Sequence, residues 1–434
     1  MTEAELPAGT SPDLFTPYVA AGKRIPVVLL THDRAAYLKR TLQALLRVRG
    51  VRKQDILISQ HGGDTAVASV AQELGIAIEQ NMDGLRLRGG RPLDGAQRIA
   101  KHYRHSLKLA LETKWPQAPG VLVVEDDFLF SPDYYEYFHA LGPALDADPS
   151  IWLASAWNDN GNAGRVRDPW RLMRTSYFPG LGWLLPRRTW TELAPKWPES
   201  HWDHWLRSPT QHRGRHIVYP QVARDYHMGV KGTFMDMRTH DRYFRRVAMQ
   251  WAGDLSWFSA QGTASIAAVQ ATPYEARLQA MLATAPLIES VSQLNQLKDG
   301  AAVLVHHSPD EPNTPFHGIA EYCGIWHEPA RAARAGVHEL PWGDSGTLLL
   351  VNTWMPRQGY GDLAPATWHP PSTAQPLNAA FVGKGAGPPA RADPALRTYS
   401  PLDDDAVLQA VQGGDFSTIG TRPWDTSARA GPVQ

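Results

Sequence analysis

Cysteine is almost absent from this 434-residue chain. The one thiol, Cys323, rules out a disulfide within the chain and points to a reducing compartment or a fold that needs no cross-links. Net charge is absent too. The 43 Lys and Arg offset 43 Asp and Glu, so no global field draws the protein to nucleic acid or to an anionic membrane. Long hydrophobic runs are missing, none reaching the roughly 18 residues of a membrane span. The acidic, proline-containing stretch Met1–Ala21 has no signal-peptide core. The expectation is a soluble, cytoplasmic protein with no nucleic-acid partner and no transmembrane segment. The Golgi lumen is the alternative if an N-terminal anchor is missing.

What is present is an ordinary globular composition with an unusual load of tryptophan. Hydrophobic residues at 43% and charged residues at 20% suit one large or two medium soluble domains. The 16 Trp offer flat apolar faces with one N–H donor each, which suit carbohydrate as well as cores and interfaces. Ile25–Leu30 (IPVVLL) reads as a buried strand, followed by helical spacing over Ala35–Leu46. Strands at Asp55–Ser59, Ile76–Ile78, Gly120–Val124 and Ile151–Ala156 alternate with helices over Ala66–Leu74, Ala96–Leu111 and about Pro132–Leu145. That alternation predicts an α/β protein with a parallel sheet and helices on both faces. A Gly- and Arg-rich loop is expected from Asn81 to about Arg91, and a loop-rich, aromatic region with only short elements from Asn158 to Lys231.

Three clusters carry chemistry. Glu125-Asp126-Asp127 follows a buried strand, where open α/β sheets bind ligands. Three adjacent carboxylates repel one another unless a cation or many donors sit among them, and a divalent ion holding a diphosphate is one resolution. A solvated acidic turn, or an N-cap for the helix near Pro132, is the other. In Trp202-Asp203-His204-Trp205, an aspartate between two tryptophans would be partly desolvated and raised towards the range of a general base. Its alternative is an aromatic surface turn capping a short helix. In Tyr226–Thr233 (YHMGVKGT), glycines would let backbone amides approach an anion and Lys231 would add charge beside phosphate; a plain flexible loop is the alternative. Asp33-Arg34, and His102 with Arg104, are placed to reach the same crevice, each with a structural alternative.

Taken together, these segments resemble the N-acetylglucosaminyltransferase I family. The resemblance runs through Asp33-Arg34, Ile99–Arg104, Val123–Asp127, Ser155–Gly161, Phe178–Leu185, Glu192–Pro198 and Trp202–Trp205, in order within Ile25 to Phe244, with a weaker echo in Pro315–Ala320 and Gly324–Gly336. It implies a GT-A fold of the nucleotide-diphospho-sugar transferase type and an inverting transfer of N-acetylglucosamine from UDP-GlcNAc to a mannose-containing glycan or glycoprotein. It also implies dependence on Mn2+ or another divalent cation. Carried over by position, Asp127 is the metal ligand, Glu125 and Asp126 contact the donor's sugar and ribose, and Arg34 and His102 hold its uridine side. Asp203 is the catalytic base, Trp202, Lys231, Gly232 and Thr233 belong to the donor site, and the loop after Gly229 closes over the diphosphate. The chain departs from the family at His61, where an acidic residue often contacts uracil and where nearby Asp64 is a substitute, at His204, and at Thr233-Phe234. Another UDP-sugar, or a glycan-binding protein without turnover, are the alternatives. The expected organisation is an extension (1–24), a catalytic domain (25–250), a smaller C-terminal domain (251–369) and a Pro/Ala/Gly-rich tail (370–434).

Overall fold

The computed structural model describes residue 18 and residues 22–82, 93–250, 255–308, 316–354 and 376–381, with residues 384 and 387 and the backbone of Thr398–Tyr399. Nearly all of the N-terminal extension, most of the tail, Pro315 and all but the start of the Gly- and Arg-rich loop lie outside the described residues. Among the described residues, no helix is long and apolar enough to cross a membrane.

Strand β1 (Val27–Thr31), helix α1 (Ala35–Leu45), β2 (Ile56–His61), α2 (Thr65–Leu74) and β3 (Ala77–Asn81) follow the expected order. Helix α3 (Gly95–Lys108) then leads into β4 (Gly120–Glu125). Helix α2 starts where the Asp64 carboxylate accepts the Val67 N–H, and α3 starts on a capping box between Asp94 and Gln97. Strand β1 is buried at every position because both its faces are covered. Val27 and Leu29 pack with Leu38, Leu42 and Ile58, while Val28 and Leu30 pack with Ala100, Tyr103 and Leu107.

Beyond the acidic turn come β5 (Phe128–Phe130), α4 (Tyr134–Ala147), β6 (Ile151–Ser155), β7 (Leu172–Thr175) and β8 (Trp183–Pro186). Next are α5 (Arg187–Leu193), α6 (Trp202–Leu206), α7 (Pro209–His212), β9 (His216–Pro220) and β10 (Asp225–His227). The main sheet has eight strands in the order β3-β2-β1-β4-β8-β6-β9-β7. Four pairings are parallel (β1 with β2 and β4, β2 with β3, β6 with β9) and three antiparallel (β8 with β4 and β6, β7 with β9). The sheet is thus mostly parallel, as expected, and the stretch from Asn158 to Lys231 supplies β7, β8 and β9. Their short runs are buried throughout, so they show no alternation from which a strand could be read.

The remaining elements are α8 (Met237–Tyr243), β11 (Met249–Gln250), α9 (Ala260–Ala268), α10 (Ala271–Thr284) and α11 (Val291–Gln296), followed by β12 (Ala301–His306), α12 (Phe316–Cys323), β13 (Val337–Trp342) and β14 (Gly346–Asn352). A three-stranded sheet, β12-β14-β13, sits in this part. Its Ala302, Leu304, Leu348 and Leu350 close a core with Phe316, Ile319 and Trp342, whereas Val303, Val305, Leu349 and Val351 join the core of the main sheet. The C-terminal segment is thereby packed directly onto the sheet that carries the site.

Candidate active site

The order of the sheet reverses direction between β1 and β4, whose ends lie side by side with Leu30 opposite Glu125. A crevice forms at such a switch point, and the acidic turn sits in it. Asp126 and Asp127 are almost fully buried. The Thr41 hydroxyl pins the turn, donating to the Asp126 carbonyl at 2.6 Å and accepting from the Phe128 N–H at 3.0 Å. β5 separates these acids from α4, which begins after Asp133, so they are not its cap.

The three carboxylates are handled differently. Glu125 accepts from the Tyr103 hydroxyl. Asp126 accepts from Thr31 at 2.6 Å and pairs with Arg34. Asp127 pairs with the other arm of Arg34 at 2.8 Å through Oδ2, while its buried Oδ1 has no hydrogen-bond partner among the described residues. Burial, with the Asp127 charge beside it, pushes Glu125 up. Burial also pushes Asp126 up against the pull of Arg34. For Asp127, Arg34 and His227 outweigh burial and hold the carboxyl below its usual range. Arg34 is therefore the cation that eases the repulsion within the protein itself, which places it on the acids as well as at the edge of the crevice. Its neighbour Asp33 is exposed.

The antiparallel ribbon β5–β10 sets His227 opposite Phe128 and brings its Nε2 to 3.6 Å from Asp127 Oδ2. Among the described residues, His227 Nδ1 is buried without a hydrogen-bond partner. A Cβ on Gly229 would lie 2.2 Å from Asp127 Oδ2, so only glycine lets this loop pass the acid. The loop is tied down at Met228, whose N–H donates to the Asp127 carbonyl at 2.9 Å. Lys231, Gly232 and Thr233 are exposed at its tip, with the Lys231 carbonyl 3.4 Å from Arg34 Nη1. Phe234 beside them is 67% exposed.

His61 and His102 are both buried, with ring centres 5.3 Å apart, and His32 extends the row at 5.4 Å from His61. His102 Nε2 lies 3.0 Å from the Ser59 carbonyl, and burial followed by the neighbouring His61 lowers its pKa to about 3. A neutral imidazole that donates through Nε2 leaves Nδ1 as an acceptor, and that buried atom has no protein partner among the described residues. Asp64 is committed to the α2 cap, and Arg104 is exposed.

Asp203 lies in the first turn of α6, after His201 in a left-handed conformation at φ 46°. Trp202 is 6% exposed, stacked on Tyr103 at 4.0 Å and packed against Trp183 and Trp197. Trp202, expected at the donor site, reaches the acids through Tyr103. Asp203 itself is half-buried. Its side chain is 34% exposed, and Oδ2 accepts from Arg207 Nη1 at 2.8 Å, while Trp205 packs on Trp197. Tyr103 nevertheless connects the clusters, since burial and then the charges of Glu125 and Asp203 hold its hydroxyl protonated. A cavity of about 220 Å³ flanks α6, lined by Ser176, Tyr177, His204, Arg207, Ser208 and Glu328.

Reading of the sequence alone missed His227, Tyr103 and Arg207. His227 comes to Asp127 through the register of a two-stranded ribbon, for which no local pattern exists. Arg207 had a readable signal, its i,i+4 spacing from Asp203. Among the described residues, no group of three or more His, Cys, Asp or Glu side chains forms a metal cage. Asp127 and His227 offer a pair, a carboxylate with an orphaned oxygen and an imidazole. That donor set suits a divalent ion which takes its other ligands from a diphosphate and water.

An α/β sheet with an acidic turn at its switch point defines the architecture of nucleotide-diphospho-sugar transferases of the GT-A type. The GNT-I family model matches residues 15–256, and the chain belongs to that family. An Arabidopsis thaliana protein named alpha-1,3-mannosyl-glycoprotein 2-beta-N-acetylglucosaminyltransferase is 39% identical over 213 residues, covering 48% of this chain and 47% of its own length. The chain thus spans about half of that curated relative. Among solved structures, the Staphylococcus aureus TarS fragment 1–349 in complex with UDP-GlcNAc is similar at 14% identity and TM-score 0.33, covering 48% of this chain and 60% of that one. The mannosyltransferase PcManGT of Pyrobaculum calidifontis, in complex with GDP-Man and Mn2+, is similar at 14% identity and TM-score 0.30, covering 46% and 57%. Likenesses of this size add nothing to the reading of the site.

Proposed function

We propose that the protein is an inverting, metal-dependent glycosyltransferase that moves N-acetylglucosamine from UDP-GlcNAc to a hydroxyl of a mannose-type acceptor. The observation that carries this reading is the buried Asp127 at the sheet's switch point, with an oxygen left over, His227 beside it and the carboxylate of Asp203 on the next aromatic layer. Family membership and the name of the Arabidopsis relative support the choice of donor and acceptor.

On this reading Asp127 and His227 hold the divalent ion, Mn2+ by resemblance. Such an ion, when bound, offsets the charge that grows on the departing diphosphate. Arg34 keeps Asp127 ionised, and Lys231 stands at the loop tip where it adds a positive charge beside the phosphates. His61 and His102 face the nucleoside side, His102 with a neutral imidazole. Asp203 takes the proton from the acceptor hydroxyl as that oxygen bonds to the anomeric carbon and the bond from that carbon to the diphosphate breaks. A single displacement of this kind inverts the anomeric centre and needs one base and no protein nucleophile. The Gly229–Thr233 loop would cover the donor and keep water from competing with the acceptor.

The test is UDP release from UDP-GlcNAc with Mn2+, with and without a panel of mannosides, and with other UDP-sugars in parallel. Metal-dependent release stimulated by a mannoside is expected. Tight metal-dependent UDP binding without release from any UDP-sugar would replace this reading by a glycan-binding protein, and preference for another sugar would correct the donor.

A further inference from the structure

The i,i+4 pair of Asp203 and Arg207 is a type that contributes little when it lies on an exposed helix face. Arg207 is not placed that way. Its side chain is only 14% exposed, Nε donates to the Phe178 carbonyl at 3.0 Å and Nη1 donates to Asp203 Oδ2 at 2.8 Å. Its guanidinium lies 4.7 Å from the centre of the buried Tyr177 ring. Tyr177 is held in turn by a segment far along the chain. Its hydroxyl donates to Glu328 at 3.1 Å, across 151 residues of sequence. Arg331 donates to the same Glu328 oxygen at 2.6 Å, to Asp159 at 3.2 Å, and lies 4.9 Å from the Tyr177 ring centre.

These contacts run in series from the C-terminal segment to the carboxylate on α6, and of them Glu328 and Arg331 lie outside the 15–256 span of the family match. Among the described residues, the other charged or titratable groups near Asp203 are His204, whose Nε2 is 4.0 Å from Oδ2, and Tyr103. Among the described residues Arg207 alone donates a hydrogen bond to the carboxylate, and it does so at Oδ2. Oδ1 is thereby left to accept a proton. We propose that Arg207 is a positioning residue for the base, and that Tyr177 and Glu328 hold Arg207 so that the C-terminal segment sets the orientation of Asp203. The inference rests on the reading of Asp203 as the base.

The experiment compares Arg207→Gln, Arg207→Lys and Tyr177→Phe with the parent protein, in Mn2+, with UDP-GlcNAc and the mannoside that best supports turnover. Arg207→Gln lowers kcat roughly 30-fold with KM for the donor unchanged, since misplacing the base affects the reacting geometry and not donor binding. Arg207→Lys recovers kcat to within about fivefold, keeping the charge without the fork. In the Asp203→Asn background, Arg207→Gln produces no further loss of the residual turnover, because both changes remove one function. A rise in donor KM with kcat unchanged, or losses that multiply in the double variant, overturns the proposal. If Arg207→Gln fails to fold by thermal melting, Tyr177→Phe decides. It removes only the hydroxyl that bonds Glu328, and an expected roughly threefold fall in kcat at constant donor KM supports the tether. Unchanged kcat overturns it. Full turnover in Asp203→Asn alone would instead bring down the underlying reading, and the tether with it. Loss in Asp203→Asn with Arg207→Gln fully active brings down the tether only.

Discussion

The two sides of the site are built in opposite ways. The acidic side is buried at the ends of the strands: β1, β4 and β10 end at one crevice, and Asp126 and Asp127 are closed in by Thr31, Arg34 and Gly229. The base side is partly open and assembled from distant parts of the chain, with Asp203 on a five-residue helix braced by Arg207, Tyr177 and Glu328. On the proposed function, the difference fits the two tasks. A diphosphate and its metal need fixed, dehydrated ligands, whereas the base must stay accessible to an acceptor that arrives from solvent.

Changes on the acidic side should act on donor and metal binding together. The largest effect is expected from Asp127→Asn, with turnover falling roughly 10³-fold and Mn2+-dependent UDP binding lost, read by calorimetry. If UDP binding kept its metal dependence, Asp127 would not be the ligand.

Acid should weaken the sheet half next. His139 Nε2 accepts the Ile25 N–H at 3.0 Å, which requires a neutral ring, and burial lowers its pKa from 6.5 to about 4. The folded value lies below the unfolded one. The stability from this histidine is therefore complete above pH 6.5 and is lost as pH falls through about 4. That amounts to roughly 3 kcal/mol at most. Denaturant melts across that window should show the loss, and His139→Gln should flatten it. A melt as steep in the variant as in the parent would assign the acid sensitivity elsewhere.

A smaller effect is expected at Gly229. A methyl group there meets Asp127, so Gly229→Ala should raise the donor KM about tenfold to thirtyfold while the melting temperature stays near that of the parent. The smallest separates a cap from a base contact: Asp64→Ala should cost about 1 kcal/mol of stability through α2 and leave the donor KM unchanged. A raised KM would return Asp64 to the nucleoside site.

The same contrast explains what could be read from the sequence. The strand–helix alternation up to β4, with α4 and β6 beyond it, was legible from short apolar runs between stretches of helical spacing, and the acidic turn because it directly follows such a run, whereas the three-residue β5 was not read. Nor were the strands β7 to β9. A run such as Trp183–Pro186 has four buried residues and no period, and its place between β4 and β6 depends on pairings that no local signal encodes. On the site side, Asp203 stood out through the tryptophans on either side of it and through the resemblance to a family. Its environment depends on Arg207 and on a tyrosine whose own partner lies 151 residues away. His227 stayed hidden for the same cause, because an antiparallel register carries it to Asp127.

The central claim is that metal and donor are held on one side and the proton is taken on the other. The most direct test is Asp203→Asn, with UDP binding in Mn2+ and single-turnover transfer measured on the same sample. The account predicts that transfer falls by roughly 10³-fold while UDP affinity and its metal dependence are unchanged. Transfer at the parent rate, or a parallel loss of UDP affinity, would contradict it.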